Sequence, residues 1–207
     1  MSLEIPEIAG AILLPNTTLF PHGALPLHIF EPRYREMLTD SLERDYLFCV
    51  GNLRGAETPT DYASCVAPVG TIGLIRSSRE TSDGRSGLLL HGVIRVHFVE
   101  WLDNKPYPQA RIAPLVSEDL ERNEAPIHYT KLRHAVARAL EQFEPDVQAK
   151  LSELLDQAGE SEVMVDAVAQ QFVHDPKLRQ HLLEETKVAE RISLTCDYLR
   201  SHTPGMN

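Results

Sequence analysis

The chain has 207 residues, of which 43% are hydrophobic and 24% charged. This composition fits one or two compact domains and excludes a disordered chain. The net charge of −10 disfavours nucleic-acid and anionic-lipid partners, because both attract basic surfaces. The segment from Met1 to Pro15 has no basic, apolar leader, and no run approaches the roughly 20 apolar residues that span a bilayer. We therefore expect a cytoplasmic protein with no membrane contact, in which Cys49, Cys65 and Cys196 form neither a disulfide framework nor a metal site.

The first part of the chain predicts short strands and one helix. Ala11–Leu14 and Ala24–Phe30 have the composition of strands and are separated by a turn that contains proline and glycine. Pro32 suits the first position of a helix, and apolar residues recur at helical spacing from there to about Leu42. Another short strand is predicted over Tyr46–Val50.

A long hairpin follows, with strands predicted over Thr71–Glu80 and Gly87–Trp101 and a turn at Ser82, Asp83 and Gly84. Because side chains alternate between the two faces of a strand, the second strand is expected to have a core face and a polar face. The core face is predicted to carry Leu88, Leu90, Ile94, Val96 and Phe98, and the polar face to carry His91, Arg95 and His97.

The spacing of apolar residues changes from that of strands to that of helices near residue 120. Before this point, a returning strand over Tyr107–Val116 completes a predicted antiparallel β pseudo-barrel that holds one embedded helix. From Pro126 onward the spacing is helical, and Asp175-Pro176 is a strong helix start. The prediction is therefore an α+β fold with a barrel over residues 1–120 and a helical part over residues 121–207. Its helices either form a small bundle or dock on the barrel.

The segment Leu14–Tyr34 reads LPNTTLFPHGALPLHIFEPRY and closely resembles the opening of LON domains, which stand at the N-terminus of Lon proteases. The Phe-Glu-Pro-Arg-Tyr form is typical of stand-alone members. Val69–Thr71, Leu90–Val96 and Leu182–Ile192 resemble later segments of the family. The resemblance implies a PUA-like pseudo-barrel followed by a helical part. In Lon this domain helps to recognise and deliver unfolded or tagged substrates.

The resemblance implies a non-catalytic chain that recognises an unfolded polypeptide or a partner protein, with no cofactor. The sequence has no phosphate loop of the kind that Lon's ATPase needs, and no segment resembles Lon's Ser-Lys protease domain. We expect no metal site, since His91 and His97 would lie about 20 Å apart along a strand. Two alternatives stay open. One is a hydrolase or small-ligand enzyme on the same fold, with Cys65 as a nucleophile, and the other is an RNA binder that uses arginines near the hairpin.

Seven residues are predicted to border one peptide-binding groove. An apolar turn and the strand after it supply one side, and the polar face of the hairpin supplies the other. The seven residues are Phe20, Pro21, His28, Phe30, His91, Arg95 and His97. A guanidinium group suits a carboxylate or a peptide carbonyl, so Arg95 is expected to hold the peptide backbone. The alternative is that Phe20 closes the end of the barrel and that the polar face is merely solvated.

Overall fold

The computed structural model describes residues 4–55, 61–141, 144–156 and 160–202. The chain divides into two compact units, residues 1–115 and 116–207. The described part of the first unit holds a sheet and two helices. Its strands are β1 (Ile8–Pro15), β2 (Ala24–Ile29), β3 (Leu47–Leu53), β4 (Val69–Glu80), β5 (Ser86–Leu102) and β6 (Gln109–Pro114). Its helices are α1 (Pro32–Leu42) and the one-turn α2 (Tyr62–Cys65), which the sequence did not predict.

The strands form one sheet in the order β2-β5-β4-β3-β1-β6, and β5 pairs with β6 as well. Five strands therefore close into a ring, while β2 lies outside it as an end strand. The predicted α+β class with an embedded helix is confirmed, and the strand pairings are mostly antiparallel, but the six-stranded sheet is mixed and is not a complete barrel. β1 and β3 run parallel, with Ala11 opposite Cys49, because the connection through β2 and α1 returns the chain to the end where β1 began.

Both faces of the central strands are buried, each against a different apolar cluster. The α1 cluster includes Met37 of α1 together with Ile12, Phe48 and Leu90. The strand cluster includes Ala11, Cys49, Ile72, Val96 and Phe98. Since successive side chains of a strand point to opposite faces, β1 and β3 feed both clusters. Because both faces of these strands are buried, the exposed strand surface of the sheet comes mainly from β2 and the β4–β5 hairpin.

A register shift in β5 overturns the predicted alternation of its side chains. Gly73 lies opposite Gly92, whereas the preceding residue, Ile72, lies opposite Ile94. β5 therefore has one extra residue here, and an extra residue reverses which face the later side chains occupy. As a result Leu90 belongs to the α1 cluster, whereas Val96, of the same parity, belongs to the strand cluster.

The second unit is helical in its described part and has its own core. Its helices are α3 (Ala125–Leu140), α4 (Pro145–Asp156), α5 (Ser161–Phe172), α6 (Pro176–Glu184) and α7 (Val188–His202). Leu132, Val168 and Ile192 are each 0% exposed and place α3, α5 and α7 around one cluster. α6 begins as predicted, since the Asp175 carboxylate accepts a hydrogen bond from the Leu178 amide at 2.8 Å.

Candidate functional site

The structure separates the seven predicted groove residues into buried and accessible ones. Phe20 is 0% exposed and Arg95 only 2%, and Pro21 is buried as well. Phe30 is 58% exposed. His28 and His97 are exposed, and His91 is partly buried. A ligand on the surface therefore cannot touch Phe20, Pro21 or Arg95 in this conformation, and the binding role of the others stays a prediction.

The burial of Phe20 follows from the way its turn is tied to the sheet. The His22 amide donates to the Gly92 carbonyl at 2.9 Å, and the Gly92 amide donates to the Gly23 carbonyl at 2.8 Å. The Thr71 hydroxyl donates to the Leu19 carbonyl at 2.5 Å. These bonds hold the turn directly on β4 and β5, so the apolar side chain of Phe20 becomes part of the core. The alternative in which Phe20 closes the barrel fits this arrangement.

The predicted polar face of β5 is divided between the two sides of the sheet. Arg95 lies opposite Thr71 and His97 opposite Val69, whereas His91 lies opposite Leu74. Thr71 and Val69 are an odd number of residues from Leu74, so their side chains point to the other face. His91 therefore does not share a face with Arg95 and His97, and the reason is the extra residue beside Gly92.

His91 instead lies on the same face as His28 and Phe30. In the β2–β5 pairing Ala24 lies opposite His91, Pro26 opposite Leu89, and His28 opposite Gly87. The rings of His28 and Phe30 are 6.1 Å apart between centroids, which places both on the same side of β2. We use the name β2 face for the exposed surface made by Pro26, His28, Phe30, Gly87 and Leu89.

The β2 face has a notch at its centre. Gly87 lies between His28 on β2 and Arg79 on β4. A Cβ atom at Gly87 would have no heavy atom within 4 Å, so the space above this residue is open. Leu89, 39% exposed, lies next to the notch. The notch can therefore accept a side chain between an imidazole, a guanidinium and an apolar group.

Basic groups lie beside the β2 face. Arg79 is exposed beside the notch. Burial lowers the pKa of His91 below its ordinary value, and the charges of Arg76 and His22 lower it further. Since the ordinary histidine pKa is about 6.5, His91 is neutral at pH 7. A neutral imidazole can donate one hydrogen bond and accept another, which suits a peptide group.

The outer edge of β2 presents backbone groups. β2 is at the end of the strand order, so no strand in the described part of the chain pairs with its other side. Pro26 has no N–H and cannot belong to a hydrogen-bonded pair with β5. Because bonded and non-bonded pairs alternate along antiparallel strands, Ala24, Pro26 and His28 direct their backbone groups outward. The edge thus offers two amides and three carbonyls to an extended chain.

Sequence reasoning missed Pro26, Gly87 and Leu89. The signal for Leu89 was present, because the assignment of Leu88 and Leu90 to the core places the residue between them on the other face. Pro26 also carried a signal, since proline is confined to edge strands and strand starts. Nothing in the sequence marks Gly87, because its role depends on which residues of β2 and β4 lie opposite it.

Other features of the described residues bear on catalysis and metal binding. Burial raises the pKa of the Cys49 and Cys196 thiols, and Cys65 is partly exposed with its Sγ 3.5 Å from the Ser64 hydroxyl. Within the described ranges there is no group of three or more His, Cys, Asp or Glu side chains that could hold a metal ion. No helix in these ranges has the length and apolar character to cross a membrane.

A groove of about 600 Å³ lies between α1 and the β4–β5 hairpin. Leu38 and Ile75 line it together with the charged side chains of Arg35 and Glu80. None of the seven predicted residues lines this groove. It lies on the side of the hairpin that faces α1, so it is separate from the β2 face.

Comparison with known proteins establishes the family. Residues 10–201 match the family described as the ATP-dependent protease La (LON) substrate-binding domain. The chain belongs to this family. The family match confirms the predicted resemblance, and the structure confirms the predicted fold class. A LON substrate-binding domain is a recognition domain without a catalytic site.

Relatives of this LON substrate-binding domain include full-length proteases. The chain is 24% identical over 200 residues to a Lon protease of Anaeromyxobacter dehalogenans, a match that covers 95% of the chain and 23% of the relative. Lon protease 2 of Myxococcus xanthus is also 24% identical, with 95% and 24% covered. The chain thus spans about a quarter of the length of these proteases.

Solved structures of Lon N-terminal domains share the fold. The N-terminal domain of the Mycobacterium avium complex Lon protease aligns with a TM-score of 0.71 at 11% identity, covering 94% of this chain and 99% of that one. The Lon N-terminal domain protein from Xanthomonas campestris aligns with a TM-score of 0.62 at 17% identity, covering 95% and 99%. At such low identity the likeness concerns the fold alone.

Proposed function

We propose that this LON substrate-binding domain binds unfolded polypeptides, without catalysis, on the β2 face and along the outer edge of β2. The observation that carries the proposal is the position of an exposed apolar surface directly beside the outer edge of β2, which pairs with no strand in the described ranges. Large apolar side chains are exposed there at Phe30 and Leu89. An unfolded chain displays the two features that such a surface binds, namely free backbone groups and apolar side chains.

The bound segment lies extended beside β2 in this proposal. Its backbone pairs with the outward groups of Ala24, Pro26 and His28, so the affinity does not depend on sequence. Every second side chain of the bound segment points to the side of the β2 face, and a long one can reach across β2 into the notch above Gly87. Arg79 beside the notch favours an acidic or amide side chain, because a guanidinium group donates several hydrogen bonds. The proposal therefore predicts broad binding with a preference for apolar segments that contain acidic residues.

The test is the binding of a chemically reduced, carboxymethylated protein, which stays unfolded, to the parent and to the double variant Phe30→Ser, Leu89→Ser. We expect the Kd to rise at least about tenfold, equal to about 1.4 kcal/mol, because the apolar contacts are lost. The matched control is Val99→Ser, since Val99 is 57% exposed on β5 away from the β2 face. Circular dichroism checks that all three proteins fold.

Unchanged binding by the folded double variant would exclude the β2 face as the binding surface. Equal loss in the Val99→Ser control would show that exposed apolar groups act without regard to position. Either result rejects the proposed site, and failure of the parent to bind any unfolded chain rejects the proposed function.

We also propose a cytoplasmic location, on the basis of the cysteines. Cys49, Cys65 and Cys196 are all free thiols, and free thiols are typical of a reducing compartment. Fractionation of the source cells with an antibody against the chain tests this, and recovery with the extracellular or periplasmic fraction would contradict it.

A further inference from the structure

A second surface feature lies in the helical unit, in the groove between α3 and α7. The groove has a volume of about 510 Å³. Four basic side chains line it, and Ala135 and Cys196 are small residues on the same lining. The basic residues are Lys131, His134 and Arg138 of α3 and Arg200 of α7. We call this feature the basic groove.

Helix geometry explains how these side chains come together. Residues three, four and seven apart lie on one face of a helix, which aligns His134 and Arg138 with Lys131. Lys131 and Arg138 are two turns apart, or about 10.5 Å along the axis. Arg200 follows Cys196 by one turn of α7, so it extends the same lining from the facing helix. The small side chains of Ala135 and Cys196 leave the space between these helices open.

The charge of the basic groove is opposite to that of the chain. The chain carries a net charge of −10, yet among the residues that the structure describes no carboxylate lines this groove. The nearby Asp197 pairs with Arg200, which also donates from Nε to the Cys196 carbonyl at 3.3 Å. Burial raises the pKa of the Cys196 thiol; the charges of Lys131 and Arg200 oppose this rise, whereas that of Asp197 adds to it. Both helices therefore bring a basic side chain to the groove, and Asp197 offsets part of the charge of Arg200.

We propose that the basic groove binds an acidic helical segment of a partner protein. Charge complementarity selects the acidic partner, and the two-turn spacing of Lys131 and Arg138 matches carboxylates seven residues apart on a helix. The apolar floor at Ala135 accepts a small apolar side chain between those carboxylates. An extended nucleic acid is disfavoured, because the acidic remainder of the chain repels a long phosphate backbone. This proposal rests on the helical unit and is independent of the β2 face.

The experiment measures fluorescence anisotropy of a labelled designed helix of about sixteen residues, long enough to fold on binding. The acidic probe carries two Glu residues seven positions, or two helical turns, apart with Ala between them. The matched probe carries Gln in place of both Glu residues. We expect the full chain to bind the Glu probe, and the Kd to rise when ionic strength increases from about 0.05 M to about 0.3 M, because salt screens exposed charges. The Gln probe should bind at least about tenfold more weakly.

The test variant is Lys131→Glu, Arg138→Glu, and the control is Arg122→Glu, Lys177→Glu. Arg122 and Lys177 are exposed basic residues of the same unit that do not line the groove, so both variants change the net charge equally. We expect the Kd for the Glu probe to rise at least about tenfold in the test variant and to change less than about twofold in the control. Equal losses in the two variants would overturn the proposal.

Three further results would also overturn it. These are binding of the Gln probe as tightly as the Glu probe, binding of a single-stranded RNA of similar length in place of the peptide, and self-association through the groove. Sedimentation of the parent and the test variant detects the last, because a dimer present in the parent alone would show that a second copy occupies the groove.

Discussion

The hydroxyl of Tyr107 donates a hydrogen bond to the Asp40 carboxylate at 2.6 Å, and this bond joins α1 to the segment that enters β6. Lys105 donates to the same carboxylate oxygen at 2.7 Å. These two hydrogen bonds, that from Lys105 first, lower the pKa of Asp40 below its ordinary value. Burial raises the pKa of Tyr107, so its hydroxyl stays protonated and donates throughout the neutral range.

Asp40→Ala is expected to lower the free energy of unfolding by about 1 kcal/mol at pH 7, since a partly exposed carboxylate with two donors is lost. Because the pKa of Asp40 is lowered in the folded state, its contribution is complete above the ordinary carboxyl pKa of about 4 and is lost as the pH falls through the lower folded value. Urea unfolding of parent and variant at several pH values should therefore converge at acid pH. A difference that stays constant on acidification would show that Asp40 does not act through its charge.

Gly87→Val is expected to weaken binding of an unfolded polypeptide while leaving stability nearly unchanged. The added side chain would fill the notch of the β2 face, and a Cβ atom there meets no heavy atom within 4 Å. Valine also suits an extended strand. The measurements are the Kd for the carboxymethylated probe and the midpoint of thermal unfolding. Loss of stability together with binding would mean that Gly87 is structural, and unchanged binding would exclude the notch.

Gly92→Ala, unlike Gly87→Val, is expected to destabilise the protein and to lower the free energy of unfolding by about 2–4 kcal/mol. A Cβ atom at Gly92 would lie 2.1 Å from the backbone carbonyl oxygen of Phe20, so the turn would have to leave β5. That movement would break the hydrogen bonds of His22 and Gly23 with Gly92. Urea unfolding measures the effect, and a stability equal to that of the parent would contradict the close packing of turn and strand.

Asp166→Ala is expected to lower the free energy of unfolding by about 3 kcal/mol, the low end of the range for a broken buried ion pair. The buried guanidinium group of Arg191 loses its buried carboxylate but keeps that of the partly exposed Glu162, 3.2 Å from Nη2. Asp166 and Arg191 are each 1% exposed, and Asp166 Oδ1 lies 2.8 Å from Arg191 Nη1. The double variant Asp166→Leu, Arg191→Met should recover much of the loss, since apolar residues of similar size remove both charges.

The exposed pair of Asp197 and Arg200 provides the control for that prediction, and Asp197→Ala should change stability by less than about 1 kcal/mol. Chemical unfolding of the four proteins decides the matter. If Asp166→Ala is no more harmful than Asp197→Ala, burial of the ion pair does not matter to the helical unit.

Local sequence signals predicted where α1 and α6 begin, whereas the pairing between distant strands determines which residues share a face at the candidate site. Pro32 and Asp175-Pro176 fixed the starts of α1 and α6, because a proline at the first turn and a capping carboxylate act within a few residues. The parallel pairing of β1 with β3 and the extra residue beside Gly92 depend on partner strands. The second of these moved Arg95 away from His91, and no spacing within β5 alone could reveal it.

The closed ring has a consequence for the synthesis of the chain. Its last contact joins Ile8 near the start of the chain to Arg111 on β6, and β6 also pairs with β5. A chain emerging from the ribosome therefore has to keep one edge of β1 and one edge of β5 without partners until β6 has been made. Bare strand edges are sites of aggregation. The ring, though not the end strand β2, thus loses its bare edges only when β6 pairs, and a nascent chain that stops before Gln109 would expose both edges at once.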